Sequence, residues 1–263
     1  MNYGFFDYKY NIEGFTSDLF SVPHIVFIVL TFLLVPLISY FLRKTDHSKI
    51  DKFIKYYSIF VVVFEVTKIT WESYYDITTG RGLNVEGIMP FYTCSLFIYT
   101  MILAGWTKGK TREYSLSFLT TICMICGAIG VVQCNGLNYY PFWTFGAFYS
   151  LIFHFSMFSV GVFLLFTKYK KLEWSDIIKG WIPMIILSLI ATPMNYEYGA
   201  DYMQIYDASG VPLMNDLAKL LAGMKLRFVF TNIMLAAYIF VGFVPTLIVK
   251  IIYRITDKTI DKN

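Results

Sequence analysis

The sequence predicts an all-α polytopic membrane protein, a bundle of seven transmembrane helices with its N-terminus outside and its C-terminus in the cytoplasm. Apolar residues make up 57% of the 263-residue chain and charged residues only 15%, whereas about a quarter of an ordinary soluble domain is charged. The mean hydropathy of +0.56 indicates the same class. Several apolar runs also reach the roughly 20 residues that a helix needs to cross a bilayer.

The apolar runs define seven helices in a single domain over residues 1–263. Their predicted spans are 23–42, 53–75, 87–105, 114–134, 141–166, 174–194 and 228–253. The first span is uncharged, the second carries charges in its second half, and the fifth is rich in aromatic residues. The third has Pro90 near its start, where proline is tolerated in a helix. An amphipathic stretch around 213–224 is expected to lie on the membrane surface.

The basic residues of the short loops set the predicted orientation. The loops after the first, third and fifth helices hold four, three and three basic residues, whereas the loop after the second holds only Arg81 and the loop after the fourth holds none. Lysine and arginine accumulate on the cytoplasmic side of membrane proteins. This distribution accounts for the net charge of +4 without a nucleic-acid partner. The sequence carries no signal for the oligomeric state.

Three charged residues in the second helix form the first candidate polar cluster. Glu65, Lys68 and Glu72 are spaced i, i+3 and i+7, which places them on one helix face. Charges inside a membrane usually face other helices and pair with one another. Two interpretations stay open, a charge-paired strut and part of a polar pocket.

A thiol and an imidazole on separate helices form the one arrangement that could carry chemistry. Cys94 lies near the start of the third helix, and His154 lies in the fifth, sixty positions later. Histidine suits acid–base work near neutral pH, and a helix N-terminus or a neighbouring base activates a thiol. Small residues on the face of His154, such as Gly146 and Ser150, predict that it faces other helices. The alternatives are a histidine that only bonds across helices and a cysteine that only fills space.

The predicted topology places further polar side chains in the outer half of the bundle, where they would line a cavity open to the outer leaflet. These residues are Glu65, Lys68, Tyr92, Gln133, Asn195, Tyr196, Asp201, Tyr202 and Asn232. Cys123 and Cys126 form a C-x-x-C pattern inside an apolar helix without a second ligand pair, which favours packing over metal binding. No nucleotide-binding or metallopeptidase motif is present, so we expect neither a metal nor another cofactor.

Two short elements resemble a known family. They are Met89 to Leu96, with the sequence MPFYTCSL, and Asn195 to Met203, with the sequence NYEYGADYM. The chain resembles the bacterial YwaF-type integral membrane proteins, which are related to the animal transmembrane-protein-164 family. The resemblance extends from the second helix to the seventh. Tyr92 and Asp201 depart from the family pattern, which often has histidine at the first position and expects asparagine at the second.

The resemblance implies a seven-helix protein of the bacterial plasma membrane. The animal relatives are phospholipid acyltransferases that use a cysteine and a histidine, which would be Cys94 and His154 here. The first hypothesis is therefore a lipid acyltransferase that works through a cysteine thioester. The alternative is a transporter or sensor that binds a lipid or a small polar ligand in the outward-facing cavity. Membrane lipids are the expected partners in both.

Overall fold

A computed structural model of the chain describes residues 3–9, 12, 14–209 and 212–260. These residues are 74% helical and contain no strand. Their α-helices are α1 (Val22–Phe41), α2 (His47–Thr78), α3 (Val85–Ile88), α4 (Leu96–Trp106), α5 (Gly109–Thr120), α6 (Ile122–Val132), α7 (Phe145–Phe166), α8 (Ser175–Tyr198), α9 (Pro212–Gly223) and α10 (Arg227–Ile260).

Five segments of the described chain are long and apolar enough to cross a membrane. They are Val22–Phe41, Gly109–Asn138, Phe145–Phe166, Ser175–Tyr198 and Arg227–Ile252. The first and last bury the smallest share of their residues, 22% each, and expose large apolar side chains such as Leu33 and Phe240. In a multi-pass membrane protein such side chains are covered by lipid. The helical membrane class predicted from the sequence is confirmed.

The chain forms two compact units, and each is made of two chain segments. Unit 1 comprises residues 1–89 and 126–169, and unit 2 comprises residues 90–125 and 170–263. Both α1 and α2 pack on α7 in unit 1. In unit 2, α5 packs on α4 and α8, and α10 packs on α8 and α9.

The described N-terminal residues close one end of unit 1. Tyr8 is 2% exposed, and its ring stacks on that of Tyr75 with the centroids 5.4 Å apart. The indole N–H of Trp71 donates to the carbonyl oxygen of Phe6 at 3.0 Å. Tyr8 therefore belongs to the buried core around Leu137.

A buried carboxylate joins α5 and α8 in unit 2. Asp176 has no exposed surface, and it accepts hydrogen bonds from the Ser117 hydroxyl at 2.7 Å and the Glu173 amide at 2.8 Å. Lys170 forms an ion pair with it at 2.7 Å. A buried charge needs such partners, because its desolvation is costly.

Two predicted helices are interrupted in the structure. The span predicted over 87–105 is not continuous, because α3 ends at Ile88 and α4 begins only at Leu96. The span predicted over 114–134 breaks at Thr121, whose φ of −116° and ψ of −95° are not helical. There the hydroxyls of Thr120 and Thr121 bond to carbonyls of the preceding turn, an arrangement that bends helices. The amphipathic stretch predicted around 213–224 is helix α9.

Candidate functional site

Pro90 creates the break that contains Cys94. A proline disfavours helical geometry in the residue before it, and Met89 is accordingly extended, with φ −70° and ψ 122°. Residues 89–95 then form no helix, and Cys94 lies two positions before the first residue of α4. The Tyr99 hydroxyl donates to the carbonyl oxygen of Pro90 at 3.2 Å and ties the break to α4. The partly buried Cys94 thus belongs to the turn that leads into α4, and not to a helix interior.

Asn195, at the end of α8, organises the second resemblance element. Its side chain has no exposed surface and forms two hydrogen bonds with the backbone of Tyr202, accepting from the amide at 2.8 Å and donating to the carbonyl at 3.0 Å. Between them, Gly199 caps α8 with φ +67°, a conformation that favours glycine. The chain therefore reverses tightly at Gly199, and the Asn195 amide fixes the segment that returns past the end of α8.

Asp201 is engaged by the loop that follows it. One carboxylate oxygen accepts from the amides of Tyr206 at 3.1 Å and Asp207 at 2.9 Å, and the other accepts from the Ser209 amide at 2.9 Å and its hydroxyl at 3.2 Å. An acceptor-only carboxylate suits this cluster of donors. We infer that Asp201 shapes the loop, and its donors leave little capacity for a ligand.

The two resemblance elements meet in unit 2. The ring of Tyr202 is 1% exposed and makes edge-on contacts with Phe91 and Tyr92, with centroid distances of 5.5 and 5.4 Å. Phe91 and Tyr92 lie just before Cys94 in the break. The loop that follows α8 therefore supports the segment that carries the thiol.

In unit 1 the imidazole of His154 is oriented by its own helix. Its Nδ1 lies 2.8 Å from the carbonyl oxygen of Ser150, one turn earlier in α7. A carbonyl can only accept, so Nδ1 carries the proton and Nε2 of the neutral ring keeps its lone pair. Nε2 is therefore the nitrogen of His154 that can act as a base.

Two glycines of α6 allow it to approach α7 at this histidine. A Cβ atom on Gly130 would lie 2.6 Å from Nε2 of His154, and one on Gly127 would lie 2.6 Å from the amide nitrogen of Phe158. Real Cβ atoms do not come so close. Glycine is therefore required at both positions of α6.

His24 differs from His154 because both of its ring nitrogens have partners. Nδ1 accepts from the Phe20 amide at 3.0 Å, and Nε2 lies 2.9 Å from the carbonyl oxygen of Val131. The side chain has no exposed surface. His24 thus fixes the start of α1 to the end of α6 and has no lone pair left for a reaction.

The predicted polar cluster of Glu65, Lys68 and Glu72 in α2 divides into two groups. The Lys68 ammonium forms an ion pair with Glu72 at 2.8 Å and donates to the Gly87 carbonyl at 2.9 Å. Glu65 is 6% exposed and accepts a hydrogen bond from the Tyr149 hydroxyl of α7. The pairing of Lys68 with Glu72 expected from their spacing is found, and Glu65 connects α2 to α7.

The remaining predicted cavity residues lie at the surface of their units. Gln133, Tyr196 and Asn232 are all exposed. The ring of Tyr196 packs edge-on against Tyr206 at 5.3 Å, and the Asn232 amide donates to the Phe228 carbonyl one turn earlier at 2.8 Å. Across the described residues, no group of three or more His, Cys, Asp or Glu side chains could hold a metal ion.

The family of the chain follows from a comparison with models of protein families. The model of the TMEM164 family matches residues 19–244. The chain belongs to the TMEM164 family. No curated protein and no solved structure gave a significant match. The matched range includes both Cys94 and His154.

Sequence reasoning missed two groups of residues in this TMEM164 family member. Tyr238 of α10 contacts the Thr93 hydroxyl beside Cys94, but a tyrosine in an apolar helix is not distinguished by its sequence context. The buried network of Asp176 with Ser117 and Lys170 was also missed. An acidic residue in the first turn of a predicted span was the available signal, since charges there seek partners.

Proposed function

We propose that this TMEM164 family protein is a membrane lipid acyltransferase in which Cys94 is the nucleophile and His154 the base. The observation that carries the proposal is the position of Cys94 two residues before the start of α4. Backbone N–H groups and the helix dipole favour an anion at a helix N-terminus, and the thiolate is the reactive form of cysteine. The orientation of His154, with Nε2 as its basic nitrogen, supports its part in the proposal.

The proposed reaction has two half-reactions. The Cys94 sulfur attacks the ester carbonyl of a donor phospholipid, and Nε2 of His154 takes the thiol proton. The carbon–oxygen bond to the glycerol breaks, and the leaving oxygen receives that proton, which yields a lysophospholipid and an acyl thioester. An acceptor lysolipid hydroxyl then attacks the thioester and gives its proton to His154. The ester forms, the carbon–sulfur bond breaks, and the thiol recovers its proton.

We further propose that the chain crosses the membrane seven times, with its N-terminus outside. The five apolar segments supply five crossings, and α2 and α4 supply the other two. α2 is 32 residues long but carries charges, and α4 is a shorter apolar helix. The distribution of basic residues among the loops supports this orientation. The resemblance to the YwaF-type proteins supports a location in a bacterial plasma membrane.

Intact mass measurement of the purified protein tests the activity. The protein is incubated with a phospholipid donor, alongside Cys94→Ala and His154→Ala. We expect a hydroxylamine-sensitive acyl adduct on the wild type, none on Cys94→Ala and less on His154→Ala. Cys123→Ala is the matched control, because that thiol is buried inside α6 and should not carry the adduct. An adduct that persists in Cys94→Ala would refute the assignment.

The second candidate is a lipid-binding transporter or sensor without an acyl intermediate. An apolar groove on one face of α2 supports it, because a lipid chain would fit such a surface. The groove is lined by Val62, Val63, Val66, Thr67, Thr70, Trp71 and Tyr74. Glu65→Gln would then impair ligand binding, while Cys94→Ser would leave it intact. Absence of an adduct with any common phospholipid, together with saturable lipid binding that survives Cys94→Ser, would favour this candidate over the acyltransferase.

A further inference from the structure

The hydroxyl of Tyr238 lies between the two resemblance elements of unit 2. Tyr238 belongs to α10, and its oxygen is 2.9 Å from the Thr93 hydroxyl and 2.9 Å from the carbonyl oxygen of Met203. Thr93 directly precedes Cys94, and Met203 ends the element that begins at Asn195. One side chain thus connects the loop to the residue beside the thiol.

The direction of these hydrogen bonds follows from their chemistry. A backbone carbonyl can only accept, so the single hydroxyl proton of Tyr238 goes to Met203. Thr93 must then donate its own proton to Tyr238. The chain of bonds therefore runs from Thr93 through Tyr238 to Met203, and it holds the Thr93 side chain in one rotamer.

The loop presents the Met203 carbonyl in an unusual backbone conformation. Met203 and Gln204 have φ values of +58° and +54°, in the left-handed region that residues other than glycine rarely adopt. Such a conformation is strained and persists only where its surroundings impose it. The Asn195 bonds to Tyr202 and the Asp201 bonds to the following amides impose it here. In this backbone conformation the Met203 carbonyl accepts the hydrogen bond from Tyr238.

We propose that Tyr238 is a positioning residue for Cys94. Its hydroxyl transmits the fixed geometry of the loop to Thr93 and so holds the thiol at the N-terminus of α4. The inference rests on the proposed function in one respect, since it gives Cys94 the role of nucleophile. It predicts that the reactivity of Cys94 depends on a tyrosine of α10 that belongs to neither resemblance element.

The test measures alkylation of Cys94 in the full-length purified protein without any lipid donor. A maleimide is added at fixed pH, and mass spectrometry of the Cys94 peptide gives the rate constant for its alkylation. We expect Tyr238→Phe and Thr93→Val each to slow alkylation at least about fivefold, because a thiol displaced from the helix N-terminus loses thiolate character. Thr93→Ser keeps the donor and is expected to restore a rate within about twofold of the wild type.

Tyr198→Phe is the matched control, because Tyr198 lies in the same unit and is 70% exposed. Thermal unfolding is followed for every variant. If Tyr238→Phe lowers the unfolding temperature, the alkylation rates of Thr93→Val and Thr93→Ser are compared instead, and they decide whether the hydrogen bond positions Cys94. A rate that is unchanged or faster in Tyr238→Phe and Thr93→Val, or a Thr93→Ser rate as slow as that of Thr93→Val, would overturn the inference. If the variants show the expected alkylation rates but the wild type forms no acyl adduct with a phospholipid donor, the acyltransferase is refuted and the positioning role of Tyr238 stands.

Discussion

Gly130 of α6 lies against the imidazole of His154 in α7. A Cβ atom at position 130 would be 2.6 Å from Nε2, the nitrogen that keeps its lone pair because Nδ1 donates to Ser150. The nearby end of α6 is held by His24, whose Nε2 bonds to the Val131 carbonyl. Unit 1 therefore packs a glycine backbone onto the basic nitrogen of its partly buried histidine.

Gly130→Ala is expected to abolish the acyl adduct, because the added methyl group must displace the His154 ring. Overpacking of this kind costs about 1–3 kcal/mol, so the unfolding temperature should fall as well. Intact mass with a phospholipid donor and a thermal unfolding curve measure the two effects. Gly223→Ala is the control, since a Cβ there meets no atom within 4 Å. Wild-type adduct levels in Gly130→Ala would contradict a role for His154 as the base.

Tyr149→Phe is expected to destabilise unit 1 more than an ordinary tyrosine substitution does. Its hydroxyl donates to Glu65, which is 6% exposed, so the change leaves a buried carboxylate short of a donor. Loss of a buried partner costs about 1–3 kcal/mol, and more for a charged group. Thermal unfolding measures the change, with Tyr56→Phe as the control because Tyr56 is 66% exposed. Equal unfolding temperatures for both variants would show that the bond contributes nothing. If the bond contributes as expected, the double-mutant cycle of Glu65→Gln with Tyr149→Phe is non-additive.

The helical membrane class followed from apolar length, because a bilayer imposes a minimum span that composition reveals directly. The break before α4 could not be predicted from apolar length. The sequence predicts a helix over 87–105 with Pro90 near its start, but the restriction that Pro90 places on Met89 ends α3, and α4 begins only at Leu96. The ring that disfavours helix in the preceding residue is also tolerated in a first helical turn, so local sequence leaves both outcomes open.

The candidate site was only partly predictable for a similar reason. Asn195, Asp201 and Tyr202 were expected to line a cavity, and the structure engages them in backbone bonds and ring contacts within unit 2. A polar residue near a helix end fits either use, and the partner that decides is distant in sequence. Thr93 and Tyr238 are 145 positions apart, and no local sequence pattern predicts a contact between them.

Asp176→Asn is expected to be strongly destabilising, because it removes the charge that pairs with Lys170 in a site without solvent access for the carboxylate. Breaking a buried ion pair from one side costs about 3–5 kcal/mol. The contrast is Lys49→Met. Its pair with Asp46 is 3.9 Å long with side chains 74% and 73% exposed, and such surface pairs contribute at most about 1 kcal/mol. Thermal unfolding in two salt concentrations measures both variants. Comparable losses would mean that the Asp176 network is not structural.

Asn195→Ala is expected to disorder the loop that supports Cys94. The side chain satisfies the amide and the carbonyl of Tyr202 in a site with no exposed surface, and each group left unpaired costs about 1–3 kcal/mol. Limited proteolysis should cut near Met203 faster than in the wild type, and Cys94 alkylation should slow as in Tyr238→Phe. Asn232→Ala is the control for stability, since its amide bonds only to its own helix. If Asn195→Ala accelerates proteolysis without changing Cys94 alkylation, the loop folds independently of the thiol, and its contacts with Phe91 and Tyr92 do not position it.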